Sequence, residues 1–159
     1  MERHDPRRLR RVFGAFPTGI TVVAAVVDGA PAGLAVSSFT SVSLEPALVS
    51  VCVGTASATW PALRRAARLG VSILSAEQES AGRQLAARCA DRFAGLSWRT
   101  TMFGAIVLDG ACGWFDVSVV QQVRAGDHDI VVLAVHDLDA SHETQPLVFH
   151  ASQFRRLQA

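Results

Sequence analysis

The 159-residue chain has no lysine and no tyrosine; all 15 of its basic Lys/Arg positions are arginine. Without lysine, a GxxxxGK[ST] phosphate loop cannot be built. No two glycines stand as GxG, so a GxGxxG dinucleotide fingerprint has no support. HExxH is absent, and His4, His128, His136, His142 and His150 form no ligand spacing with the cysteines, which leaves no metal site to expect. The absence of GxSxG removes a hydrolase elbow. Cysteine is scarce: Cys52, Cys89 and Cys112 lie far apart with no CxxC, and an odd count argues against a disulfide framework. A reducing cytoplasm fits those thiols. The longest apolar run, ITVVAAVV, is far too short for a bilayer. The charged start MERHDPRRLRRVF has no apolar segment behind it of the kind a secretory signal needs.

Half of the residues are hydrophobic and only 18% are charged. A chain of this size buries roughly 70% of its unfolded surface, so this much apolar character points to further surface covered by a partner subunit. The formal net charge is +1. RRLRR reads as the solvated face of a helix, because no wider basic patch accompanies it; nucleic acid is not an expected partner.

Length suggests one domain over residues 1–159, with residues 1–16 an N-terminal helical segment. Leu9, Val12, Phe13 and Phe16 recur at helical spacing. Ile20 to Val27 is β-branched and reads as a buried strand, DGAP as a turn, and Ala32 to Ser37 as its hairpin partner. Ala47 to Val53 is a third strand. SATWPALRRAARLG reads as a helix with Gly70 near its end, VSILS as a short strand, and AEQESAGRQLAARCADRF as a second helix. Ser75 and Gln78 form a candidate capping box at its start. The last third reads as two long strands meeting at AGD and a final strand PLVFHASQF. Strands are not separated regularly by helices, so a closed or split antiparallel barrel fits better than a doubly wound sheet.

Between two apolar strands lies AVSSFTSVSLEP, Ala35 to Pro46. Four serines and a threonine surround one Phe without the Gly, Asn or Asp of an ordinary turn. It reads as a small, hydroxyl-bearing lining, although a Ser/Thr-rich turn would share that composition.

This segment, together with FPTGITVVA, SATWPAL, DRFAGLSW, AGDHDIVVLAV and PLVFHASQFRRL, resembles the flavin reductase-like, FMN-binding split-barrel family. Within it, the chain is most similar to the reductase components of two-component flavin-dependent monooxygenases. The resemblance spans Phe16 to Phe154. It implies a mainly β fold: a six-stranded antiparallel Greek-key split barrel with flanking helices, working as a homodimer. It also implies that NADH or NADPH reduces FMN or FAD, and that the reduced flavin serves a partner monooxygenase. Ser37, Ser38, Phe39 and Thr40 match the segment that wraps the flavin. Hydroxyls and loop amides can bond a flavin's phosphate and ring edge without a lysine. Ser57 and Thr59, at a helix start, fit a phosphate or ribityl contact; for Ser57, simple N-capping competes. Cys52 ends the third strand and either touches the ring or is a buried thiol. Arg92 and Phe93 match a position near the flavin, or else an ordinary helix end. His128 in GDH is implied to position the nicotinamide nucleotide, with Asp127 shaping the turn. Arg155 could pair with a phosphate or carboxylate. Ser37 stands where the family often has Asn, and ASQF where it often has RGRY. No acid–base pair is required, because the cofactors carry the chemistry. The alternative within the same fold is a non-catalytic FMN-binding or storage protein. A pyridoxamine-phosphate-type oxidase lacks its basic phosphate-binding signature here.

Overall fold

The computed structural model describes residues 4–89 and 91–158. Helix α1 (Pro6–Gly14) begins where the Asp5 carboxylate accepts from the Arg7 N–H at 3.0 Å, with Pro6 in its first turn. None of its residues is buried. Strands β1 (Thr18–Gly19), β2 (Thr21–Val27) and β3 (Ala30–Val36) follow. Asp28 and Gly29 both take positive φ, as a two-residue hairpin turn requires. Then come β4 (Thr40–Leu44), β5 (Ala47–Gly54), α2 (Trp60–Leu63), β6 (Leu69–Ile73), a 3-10 turn (Ala76–Gln78) and α3 (Glu79–Ala86). The capping box of Ser75 and Gln78 is formed. The chain closes with β7 (Trp98–Thr100), β8 (Ile106–Leu108), β9 (Gly113–Ala125), β10 (His128–Ala140), β11 (Leu147–His150) and β12 (Gln153–Arg156).

The main sheet is antiparallel, ordered β3-β2-β6-β9-β10-β5-β4. Six of these strands send side chains into one interior. Val23, Leu34, Val51, Val71, Val117, Val131 and Leu133 meet there, with Trp60 and Leu63 of α2. The sheet is therefore a barrel wall, and its connections are not all hairpins: after β5 the chain crosses so that β6 pairs with β2, while β5 pairs with the later β10, as in a Greek key. At the split, β3 and β5 are not paired as strands. Just beyond β3, the Ser38 hydroxyl accepts from Cys52 N–H at 2.8 Å and reaches the Cys52 carbonyl at 3.1 Å. A second core lies outside the wall, where Ile20, Val22 and Ala24 pack with Leu74, Leu85, Phe93, Ile106 and Leu147. No helix among the described residues is long and apolar enough to cross a membrane.

Four expectations need correction. The hydroxyl segment, read as a lining or a turn between strands, contains a strand of its own: Thr40–Leu44 adds β4 as a seventh strand beside the six of the wall. The helix expected up to Gly70 is one turn, because Leu69 and Gly70 belong to β6. Gly70 does not cap a helix; a Cβ there would overlap the Ile106 carbonyl, so glycine lets β8 press against β6. The helix expected to run to DRF ends at Ala86, since Ala87 turns to extended backbone. The final strand is two strands, joined at Ala151 and Ser152, both with positive φ.

Candidate functional site

The barrel's split places three adjoining clefts side by side. The middle one, about 300 Å³, is lined by the end of β3 and the residues after it, the end of β5, Ser57 and His128. It brings together Ser37, Ser38, Cys52, Ser57 and His128 from four separate stretches of sequence. A second cleft of about 630 Å³ shares Ser57 and adds Thr59, Arg92 and Phe93, with Gly33, Arg88, Cys89 and Asp91. A third, about 450 Å³, shares Ser37 and Ser38 and adds Phe39 and Thr40 beside Phe16 to Gly19. Ten of the eleven candidate site residues thus line these three clefts. Arg155 does not: it lies exposed on β12, opposite Val148 in a separate three-stranded sheet.

Several of these side chains are already committed. Ser38 spends its proton on the Cys52 carbonyl and accepts from the Cys52 amide. Its backbone and one remaining lone pair are what it can still offer a ligand. Ser57 Oγ accepts from Trp60 N–H at 3.1 Å, as a cap would, and keeps its own O–H to donate. Because α2 is a single turn, it has no helix dipole with which to favour an anion at Ser57 and Thr59. The positive charge comes from the guanidinium groups of Arg92 and Arg88, which both line the second cleft. Arg92 is fixed in place. Its guanidinium donates to Thr59 Oγ1 at 3.1 Å and to Gly33 O at 3.2 Å, which ties the loop before α2 to β3. Arg92 is not at a helix end, so complementing a dipole is not its role.

Phe93 is only 6% exposed; its ring packs edge-to-face with Trp98 and stands over Gly33. Phe39 stacks on Phe115, with centroids 5.6 Å apart. Both aromatics therefore anchor the rims of their clefts in the cores. Cys52 lies on the outer side of β5, between the inward-facing Val51 and Val53. His128 opens β10 opposite Gly54, and its Nδ1 lies 2.8 Å from Asp127 Oδ1. That hydrogen bond holds the Asp127 carboxyl below the usual carboxylate range.

Gly33, Gly54, Arg88, Cys89 and Asp91 were not anticipated. Glycines are legible as close-approach points only once the facing element is known. Arg88, Cys89 and Asp91 read as helix in the sequence, which hid them.

The lining fits a flat, anionic ligand of mixed polarity. The middle cleft is walled by small residues such as Ala35, Ser37, Ser38, Gly54 and Ser57, which lets a planar ring approach backbone amides. The neighbouring cleft supplies guanidinium and hydroxyl groups for phosphate.

Residues 13–158 match the family model described as flavin reductase like domain. The chain is 37% identical over 153 residues to the reductase subunit of a flavin-dependent monooxygenase from Rhodococcus jostii, covering 96% of this chain and 78% of the relative. It is 36% identical over 160 residues to an NADH-dependent FAD reductase from Streptomyces globisporus, covering 96% and 87%. The crystal structure of the Streptomyces globisporus C-1027 NADH:FAD oxidoreductase, in complex with NAD and FAD fragments, superposes with a TM-score of 0.90 at 36% identity, covering 99% and 98% of the two chains. Nitrilotriacetate monooxygenase component B from Mycobacterium thermoresistibile gives a TM-score of 0.92 at 34% identity, covering 96% and 86%.

Proposed function

The chain belongs to the flavin reductase-like domain family, and from that premise we propose that it is an NAD(P)H:flavin oxidoreductase serving a flavin-dependent monooxygenase. The observation that carries this reading is the meeting of Ser37, Ser38, Cys52, Ser57 and His128 in one small-residue cleft beside a guanidinium-lined one. FMN or FAD, when bound, would supply the redox chemistry between NADH or NADPH and the partner.

The protein's part is binding and orientation. Ser37 and the backbone from Ser38 to Thr40 hold the ring edge. Ser38 keeps that backbone at a fixed distance from β5 through Cys52. Ser57, Thr59 and Arg92 take the phosphate end, with Arg92 held in place by Gly33. Cys52 and Phe39 bound the space around the ring, and Phe93 supports the loop beneath. His128 orients the nicotinamide nucleotide. Backbone N–H groups and hydroxyls steady negative charge that develops on the ring during reduction. Arg155 would act only on a ligand or subunit outside these clefts.

The working unit is one domain over residues 1–159, paired as a homodimer. The support is apolar surface left uncovered in the single chain: Phe13 and Phe16 by α1, Val42 and Leu44 on β4, and Val123 and Ile130 on the β9–β10 hairpin. Burying these in an obligate interface of about 2,000 Å² or more would account for the apolar composition. The three free cysteines fit a reducing cytoplasm.

The test is direct. Purified protein with NADH or NADPH should lose nicotinamide absorbance only when FMN or FAD is added. Flavin binding without any oxidation, under every pairing, would leave a flavin-binding module in place of the enzyme.

A further inference from the structure

The two nitrogens of His128 meet different surroundings. Nδ1 lies 2.8 Å from Asp127 Oδ1. Nε2 lies over Gly54: a Cβ built there would stand 3.8 Å from it and meet nothing else within 4 Å. Gly54 and His128 line the same cleft. Asp127 is itself held, because its carbonyl accepts from the Thr55 N–H at 2.9 Å and from the Thr55 hydroxyl at 3.1 Å. An ionised carboxylate can only accept, so Nδ1 must be the donor in this pair. In a neutral imidazole, one nitrogen that donates obliges the other to accept.

We propose that Asp127 is a positioning residue that locks His128 in its Nδ1–H tautomer, leaving Nε2 as an acceptor at the cleft's lip, and that the ligand group received there is an N–H donor, the primary amide of a nicotinamide, rather than a phosphate oxygen. This rests on the reductase reading. Asp127 and His128 are 94% and 52% exposed, and ion pairs so exposed contribute little to stability. Replacing Asp127 should therefore leave the fold intact and report on His128 alone.

Two measurements separate the proposal from the reading beneath it. Long-range ¹⁵N–¹H spectra of the ligand-free protein, taken well above the ordinary imidazole range of about 6.5, report which nitrogen of His128 carries the proton. The wild type should show protonated Nδ1, and Asp127→Ala should shift the population toward protonated Nε2. A wild type with Nε2 protonated overturns the lock, whether or not the protein is a reductase.

The second measurement is kinetic. Asp127→Ala should raise KM for NADH or NADPH by about 2- to 12-fold, the worth of one hydrogen bond, with a smaller change in kcat and none in flavin affinity. Asp127→Asn keeps an acceptor oxygen and should recover most of the loss. In a His128→Ala background, Asp127→Ala should cost nothing more, because the pair acts as a unit. A full additive loss there would give Asp127 an independent role and refute its action through His128. Reduced nicotinic acid adenine dinucleotide, which carries a carboxylate in place of the amide, should be used at least about tenfold less well by the wild type. Equal use would overturn the acceptor assignment. Absence of any NAD(P)H oxidation, with the Nδ1–H tautomer observed, would sink the reductase reading and leave the lock standing.

Discussion

Strands β6 and β5 belong to one antiparallel sheet and have opposite surroundings. In β6, Leu69, Gly70, Val71 and Ser72 are all buried, because β8 seals the outer face: Ser72 Oγ accepts from Leu108 N–H at 2.9 Å, and Gly70 lies under Ile106. In β5, burial alternates. Val49, Val51 and Val53 face the core, while Ser50, Cys52 and Gly54 stay partly open beneath the split. The pleat is the same, and what covers the outer face decides the difference. The wall uses both faces for burial; the seam leaves one face partly open and is bridged by the Ser38 side chain. Changes in the wall should therefore unfold the protein, and changes at the seam should loosen binding first.

Gly70→Ala should have the largest effect, roughly 3 kcal/mol or more, because the added Cβ meets backbone that cannot move without parting β6 from β8. Urea unfolding measures it; a midpoint equal to wild type would mean that the wall is less tightly closed than the seam. Next comes Asp116→Ala on β9. Asp116 is 3% exposed and pairs with Arg68 at 3.1 Å. A fully buried pair broken on one side costs about 3–5 kcal/mol; Arg68 still reaches water, so about 2 kcal/mol is expected from the same experiment.

At the seam, Ser38→Ala strands the Cys52 N–H and carbonyl. About 1–2 kcal/mol of stability should go, and flavin titration at a temperature where the variant is fully folded should still show weaker binding. Unchanged flavin affinity would make the Ser38 bridge purely structural. Arg92→Ala removes the ties to Thr59 and the Gly33 carbonyl, which should cost about 1 kcal/mol in urea unfolding. Loss of a charged contact to phosphate should also weaken flavin roughly tenfold.

The smallest effect is on acid stability. Asp129 on β10 is held below the ordinary carboxylate range by its hydrogen bond to Arg124, against the cost of burial, and Asp109 beside β8 by its hydrogen bonds to Ser97 and Arg99. A carboxyl whose folded value is depressed stabilises fully above the unfolded value, about 3.9. That stability is lost as pH falls through the folded value. Unfolding followed below about pH 4 should lose less stability in Asp129→Asn than in wild type, with no difference in shape near neutrality. Parallel curves would assign the acid limb to other groups.

Much of this was legible in residues with strong local chemistry. The β-branched run of β2, the Asp28–Gly29 turn, the capping box at Ser75 and the long β9–β10 hairpin each follow from periodicity or turn geometry. Four stretches were not. RRAARLG has helical periodicity, yet Leu69 and Gly70 gain more by pairing with Val117 and Asp116 in the sheet. The turn at Ala151–Ser152 carries neither Gly nor Asn; it is held by the Ala151 N–H donating to the Gly14 carbonyl at the end of α1. β4 did not read as a strand because only its pairing with β5 gives those hydroxyl residues a ladder. The segment after Ala86 kept a helical composition while Gln84 took up the carbonyls of Arg92 and Ala94 in place of helical hydrogen bonds.

The same division holds for the site. Residue types and motif order, and with them the family, are written in the chain: hydroxyls in SSFTS, the Ser57 and Thr59 pair, Arg92, and His128 in GDH. Which of these groups remain free depends on the fold. Ser38 and Arg92 are engaged by residues 14 and 59 positions away, Phe93 turns into a core, and Arg155 lies on another sheet. A hydrogen-bonding group's availability depends on what stands within about 3 Å of it, and strand pairing sets those neighbours across distances that local sequence does not encode.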